Sequence, residues 1–176
     1  AQICFEVGDE GVGQWTCDIA LDEGWNLVSL PVIISDTDIS YVLGDISDNL
    51  DIVRYYDAEI NDWTFYVTDG GTLTTMKDGK GYWIYMNYAD TLTITGTKTP
   101  PAPEHSPVYN VLQGWNLIGF KSTISQLAQT YLQTLPASSY TLLNAHNENK
   151  TNSNMDTGKG YWLWMNTNGS IVSYSE

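Results

Sequence analysis

The sequence of 176 residues is poor in positive charge: seven Lys and Arg residues stand against 21 Asp and Glu residues, a formal net charge of −14. Proteins that bind nucleic acids need clustered Lys and Arg to displace counterions from phosphates. The composition therefore predicts no nucleic-acid partner. An acidic surface leaves weak calcium binding open, but no EF-hand order of aspartates occurs, and we expect no cofactor and no resident metal.

Long apolar runs are also missing from the chain. No run of about 18 apolar residues occurs, so the sequence predicts no membrane-spanning helix. The chain contains no signal peptide, yet it opens on Ala1, and small residues of this kind flank signal-cleavage sites. We expect a protein that works outside the cell or at the cell surface after removal of a signal peptide.

Cysteine is scarce, with Cys4 and Cys17 as the two instances. The segments around them alternate like strands on either side of a glycine-rich turn, and a hairpin about that turn sets Val7 opposite Gln14 and Cys4 opposite Cys17. Opposed cysteines on neighbouring strands meet the distance limits of a disulfide. The sequence favours a disulfide that closes an N-terminal hairpin, with two reduced thiols or a bridge between subunits as alternatives.

Residues that support nucleophilic catalysis are few. His105 lies in a Pro-rich segment and His146 in a polar loop, and neither setting predicts the packed, oriented base that a Ser or Cys nucleophile requires. None of the motifs GxSxG, HExxH and CxxC occurs. The sequence predicts no catalytic residue and a non-enzymatic protein, with a hydrolase as the third-ranked hypothesis.

What the chain does contain is a repeat. The phrases GWNLVSLP and GKGYWIYMN return later as GWNLIGF and GKGYWLWMN, so that Trp25 aligns with Trp115 and Trp83 with Trp162. The second copy is shorter in its middle. The repeat divides the chain into an N-terminal hairpin at 1–20, module 1 at 21–96, a Pro-rich linker at 97–108 and module 2 at 109–176.

Each copy predicts the same order of elements: an apolar strand, a short amphipathic helix, further strands and a closing hairpin. The first helix is expected from Ile39 to Ile46 with Asp38 as its N-cap, and the second from Ile124 to Leu135, ended by Pro136. Module 1 adds a hairpin with a turn at 59–62. The fold class is mainly β, with two tandem modules that resemble small barrels or sandwiches. Modules this small bury little surface alone, which favours one pseudo-symmetric body.

The GKG phrase does not predict a phosphate loop, because no Ser or Thr follows the lysine and a strand follows where a helix should begin. The glycines instead predict a sharp turn into the strand, with the lysine stem along an aromatic face. The expected turn glycines are Gly24, Gly79, Gly81, Gly114, Gly158 and Gly160. The expected core of the repeat is Trp25, Trp115, Tyr82, Trp83, Tyr161 and Trp162.

A sugar platform is the alternative interpretation of the aromatic residues. Its candidates are Tyr55, Tyr56, Trp63 and Tyr66, which lie in the unduplicated hairpin, although cross-strand packing explains such residues equally well. We expect Trp83 and Trp162 to be largely buried in equivalent places; if both lie open on one shared face, the platform interpretation is favoured. Asn149 and Asn168 begin glycosylation sequons.

The paired phrases resemble a repeat module of large secreted and cell-surface proteins of archaea and bacteria, in which "GWNLISLP" precedes "GKGYWVYV". The resemblance covers residues 21–96 and 109–176, and Lys121 replaces the proline of the pattern in the second copy. It implies an extracellular, non-catalytic role. We expect a self-assembling surface component, such as a sheath, surface-layer or filament subunit that pairs through exposed strand edges; the alternative is a carbohydrate-binding or adhesin module.

Overall fold

The computed structural model describes residues 3–8, 13–98 and 106–173. Most of the Pro-rich linker, including His105, lies outside the described residues. The strands are β1 Cys4–Val7, β2 Gln14–Leu21, β3 Gly24–Ser29, β4 Leu50–Asp57, β5 Asp62–Val67, β6 Gly70–Gly71, β7 Gly81–Met86, β8 Asp90–Thr97, β9 Val108–Val111, β10 Gly114–Gly119, β11 Gln126–Leu127, β12 Tyr140–Leu143, β13 Asn154–Met155, β14 Gly160–Met165 and β15 Gly169–Val172. The helices are α1 Ile39–Val42 and α2 Ala128–Tyr131, with a 3-10 turn at Gly44–Ile46.

The predicted fold class is confirmed, since the described chain is mainly β with two short helices. Its strands form antiparallel sheets, the largest in the order β3-β7-β4-β5-β6 and its counterpart in the order β10-β14-β12. The sheets are open, so the barrel alternative for each module does not hold. None of the described helices has the length and apolarity needed to cross a bilayer.

The two modules share one strand pairing. Gly24 pairs with Met86 at the start of β3, and Gly114 pairs with Met165 at the start of β10. The strand before each GWN phrase pairs with the last strand of its module, β2 with β8 and β9 with β15. Module 1 alone adds β5 and β6 to its sheet, which accounts for the greater length of its middle.

The N-terminal hairpin has the predicted register, with Val7 opposite Gln14 and Cys4 opposite Cys17. A disulfide joins the two cysteines within the chain, so the alternatives of free thiols and an inter-subunit bridge do not hold. Both cysteines are fully buried. Because β2 also pairs with β8, the hairpin continues the outer sheet of module 1, with β1 at its edge.

The first predicted helix begins where expected. The Asp38 carboxylate accepts hydrogen bonds from the backbone N–H groups of Ser40 and Tyr41 and thereby caps α1. The hydrogen bond from the Ser40 hydroxyl, together with those from the two backbone N–H groups, holds the pKa of Asp38 below its ordinary value.

The second predicted helix is too long and begins too early. Ile124 and Leu127, expected on its apolar face, are 58% and 51% exposed. Residues 126 and 127 pair instead with β13, and Leu127 offers no side-chain cap to the four-residue helix that follows. The pairing with β13 takes the backbone groups that a longer helix would use, so only Ala128–Tyr131 is helical.

The modules join through reciprocal contacts of the two GKG phrases. The Ser29 N–H donates to the Gly158 carbonyl at 3.0 Å, and the Gly119 N–H donates to the Gly79 carbonyl at 3.0 Å. Ser29 and Gly119 are equivalent in the repeat, as are Gly158 and Gly79. Each GKG phrase therefore binds the GWN strand of the other module, which makes the two modules one pseudo-symmetric body.

Tyr82 and Tyr161 hold these phrases from the core side. Both rings are buried, and the two hydroxyls accept hydrogen bonds from the N–H groups of Lys77 and Asp156, which lie at equivalent places before the GKG phrases. Burial raises the pKa of Tyr161 to about 12 and shifts that of Tyr82 upward as well. Each tyrosine thus packs its ring in the core and holds the turn of its GKG phrase in place through its hydroxyl.

Candidate site: an aromatic cleft between the modules

Trp25 and Trp115 lie on the outer face of their sheets, which corrects the prediction that they belong to the core. They are 48% and 39% exposed. The neighbouring Asn26 is buried instead. Its side chain accepts a hydrogen bond from the Asp22 N–H and donates one to the Asp22 carbonyl, and buried Asn116 bonds Leu112 in the same way in module 2. Because successive strand residues alternate between faces, a buried asparagine turns the preceding tryptophan outward.

Trp83 and Trp162 are half-buried at equivalent positions, whereas we expected them to be largely buried. Trp83 contacts Trp25 edge to face with ring centroids 6.2 Å apart, and Trp162 contacts Trp115 in the same way at 6.0 Å. Each lies on the central strand of its pairing, β7 between β3 and β4 and β14 between β10 and β12. Both modules therefore present the same tryptophan pair on one face of the sheet.

The unduplicated hairpin of module 1 extends this aromatic surface to module 2. Trp63 on β5 contacts Tyr56 at 5.5 Å and Trp162 of the other module at 5.8 Å, both edge to face. The four residues of the predicted platform do not share one face of the sheet. The Tyr55 ring is buried, and the Lys80 ammonium lies 4.4 Å from its centroid. Tyr66 on β5 lies opposite the buried Val53 on β4. Only Tyr56 and Trp63 reach the outer surface.

These aromatic residues surround two neighbouring cavities. The larger is a cleft of about 700 Å³ that lies between the modules, with Trp25, Arg54, Trp63 and Trp83 on one side and Lys159 among the residues opposite. The smaller, of about 290 Å³, is lined by Tyr56, Trp63, Trp115, Leu143, Asn147 and Trp162. Trp63 lines both cavities, so they form one continuous surface, which we call the aromatic cleft.

A structured loop of module 2 closes one side of the aromatic cleft. The Asn144 side chain accepts hydrogen bonds from the N–H groups of His146 and Glu148 and donates one to the Glu148 carboxylate. The Asn144 amide and the nearby Lys150 hold the pKa of Glu148 below its ordinary value. These contacts fix the loop and bring His146 to the cleft wall, with its side chain exposed.

The glycines predicted for the turns serve two purposes. Gly24, Gly79, Gly114 and Gly158 have positive φ, as the prediction requires. Gly81 and Gly160 begin strands instead, and a Cβ there would lie 2.7 Å from the Ile118 carbonyl oxygen and 2.8 Å from that of Val28. These two positions need glycine for the close approach of the modules and not for a turn.

The remaining predicted sites, Asn149 and Asn168, do not line either cavity. The side chains of Asn149 and Asn168 are exposed, and their oxygens accept hydrogen bonds from the N–H groups of Thr151 and Gln113. In residues 3–8, 13–98 and 106–173, no three His, Cys, Asp or Glu side chains converge as metal ligands would. Glycosylation and weak calcium binding remain predictions.

Sequence reasoning did not identify Arg54, Lys150 or Lys159 as site residues. A signal for Arg54 was present: it alternates with Val53 and Tyr55 on β4 and therefore shares the outer face with Tyr56. Lys150 and Lys159 reach the cleft only through the packing of module 2 on module 1, and no local pattern encodes that packing. Comparison of the chain with protein-family models, with curated proteins and with solved structures finds no match.

Proposed function

We propose that this chain is a non-catalytic carbohydrate-binding protein whose ligand lies in the aromatic cleft. The observation that carries the proposal is the set of partly exposed tryptophans around one cleft. Trp25, Trp63 and Trp115 line it and are 48%, 42% and 39% exposed. Clustered exposed aromatic side chains cost free energy in water and mark binding surfaces. A pyranose ring presents flat apolar faces that pack on an indole ring.

The size and lining of the cleft fit a saccharide better than a purely apolar ligand. Ligand sites commonly enclose about 300–1,000 Å³, and the larger cavity encloses about 700 Å³. Its wall combines indole rings with the carboxylates of Asp22 and Asp156 and with basic groups. Hydroxyl groups around a sugar ring need such donors and acceptors beside the stacking surface.

The acids of the cleft favour binding over hydrolysis. A glycosidase needs one carboxyl group that burial keeps protonated and a second that stays ionised. Asp22 and Asp156 are both exposed. We expect polysaccharide that is incubated with the protein to release no reducing ends.

Trp63 provides the sharpest test because it lines both cavities. Replacing it in Trp63→Ala removes the stacking surface that they share, and we expect affinity for the glycan to fall about 30-fold, or about 2 kcal/mol. Glycan-array binding followed by calorimetry measures the change. Phe65→Ala is the matched control, since Phe65 lies on the same strand, is 41% exposed and lines neither cavity.

The proposal fails if the wild-type protein binds no glycan on arrays of neutral and acidic polysaccharides. It also fails if Phe65→Ala and Trp63→Ala lower affinity equally, because the cleft would then not be the site. Circular dichroism of each variant checks that β5 retains its strand structure.

Self-assembly into a surface polymer is the second candidate, favoured by strand β1. This strand is the edge of its sheet, and it exposes 49% of Phe5 and 42% of Val7. An apolar edge strand is a template for pairing with another chain. Light scattering at rising protein concentration should show larger species that Phe5→Lys removes. A strict monomer at high concentration, with and without calcium, contradicts this candidate.

The location that we propose for either function is outside the cytoplasm. The Cys4–Cys17 disulfide supports it, because disulfides persist in oxidising compartments. The resemblance to modules of secreted and cell-surface proteins points the same way.

A further inference from the structure

Basic side chains are concentrated in the aromatic cleft. Arg54, Lys150 and Lys159 line its larger cavity, and they are three of the seven Lys and Arg residues of the chain. Asp22 and Asp156 are the acids of the same lining, two of the 21 in the chain. In a molecule with a net charge of −14, the basic residues are therefore concentrated at this cleft while most of the acids lie elsewhere.

Two of these cations are available to a ligand. The side chains of Arg54 and Lys159 are exposed, and neither forms an ion pair or a side-chain hydrogen bond within residues 3–8, 13–98 and 106–173. The Arg54 guanidinium lies 5.9 Å from the centroid of the Trp25 ring, which orients it without using its N–H donors. Lys150, in contrast, forms an ion pair with Glu148, and its ammonium nitrogen lies 3.6 Å from a Glu148 carboxylate oxygen.

We infer that the aromatic cleft binds an acidic polysaccharide, one whose pyranose rings carry carboxylate groups. This inference rests on the proposed function and narrows its ligand class. A neutral glycan requires no cation, whereas a carboxylate entering the negative field of this molecule requires a local one. A guanidinium fork beside a stacking surface can bind a carboxylate through two N–H groups while the ring packs on Trp25 or Trp63.

Matched pairs of polymers test the charge requirement directly. Polygalacturonate, alginate and hyaluronan are each compared with their own methyl esters, which keep the sugar backbone and lose the charge. Calorimetry at about 20 mM and about 500 mM NaCl measures affinity under weak and strong screening. We expect at least one acid form to bind about tenfold or more tighter than its ester at low salt, with most of that difference lost at high salt.

Charge-matched variants locate the effect. Arg54→Gln and Lys159→Gln should each weaken binding of the acid form about five- to tenfold and leave binding of the ester within about twofold. Lys77→Gln makes the same charge change away from the cleft and should alter neither. A sulfated polymer is also compared with its unsulfated backbone. If the sulfated form binds more tightly than any uronate, the assignment to carboxylate is overturned.

The outcomes separate this inference from the proposed function. Equal affinity for acid and ester forms, with loss of both in Trp63→Ala, overturns the inference and leaves glycan binding standing. Equal effects of Lys77→Gln and Arg54→Gln also overturn it, because the attraction would then be general. Absence of binding to every polymer, charged or neutral, overturns both.

Discussion

At the scale of single residues, the glycines of the GKG phrase explain its conformation. The backbone of Gly79 and Gly158 turns at positive φ, while Gly81 and Gly160 allow the carbonyl groups of the other module to approach. The sequence indicates the turn, because glycine flanks the lysine on both sides. It does not indicate the close approach, since the contacting carbonyl of Ile118 belongs to a segment that is distant along the chain.

Replacing Gly81 tests this account. A Cβ in Gly81→Ala would lie 2.7 Å from the Ile118 carbonyl oxygen, so the modules must shift, and we expect a loss of about 1–3 kcal/mol in the free energy of unfolding. Urea denaturation followed by tryptophan fluorescence measures it.

Gly44→Ala is the control for that measurement. Gly44 lies in the 3-10 turn with negative φ, and nothing lies within 4 Å of a Cβ at that position. We expect its free energy of unfolding to stay the same or to rise slightly, because alanine restricts the unfolded chain. A Gly81→Ala protein as stable as Gly44→Ala would mean that the modules do not pack tightly at this point.

At the scale of elements, strand pairing follows from the sequence more closely than helix length does. Alternation and turn residues predict the register of the N-terminal hairpin and the turn between β4 and β5, since both are local. The helix predicted from Ile124 fails because β11 pairs with β13, whose residues lie in a polar segment without a strand pattern. A two-residue strand leaves no periodicity to detect.

The β4–β5 hairpin is the element that turns two similar modules into one site. Its absence from module 2 is visible in the sequence as a shorter middle. Its position against Trp162 is not visible, because that contact depends on the relation between the modules. The sequence therefore identifies Trp63 as a candidate but assigns it partners, Tyr55 and Tyr66, that face the other side of the sheet.

At the scale of the whole molecule, the two copies of the module contribute to one shared cleft. The reciprocal hydrogen bonds of Ser29 and Gly119 hold the modules against each other. Trp63 of module 1 then contacts Trp162 of module 2 and connects the two tryptophan pairs. The sequence predicts two related modules, and their small size favours packing as one body. It cannot predict which basic residues meet in the cleft, because Arg54 and Lys159 belong to different modules.

Indole N–H resonances give the most direct test of the central claim that glycan binds in the cleft between the modules. The seven tryptophans provide seven such signals in a ¹⁵N-labelled sample. On titration with an oligosaccharide of the best-bound polymer, the signals of Trp25, Trp63, Trp83 and Trp162 should shift together along one saturation curve. The signal of Trp15, which packs under Lys98 outside the cleft, should stay in place. Shifts confined to one module, or a shift of Trp15 equal to that of Trp63, would contradict the claim.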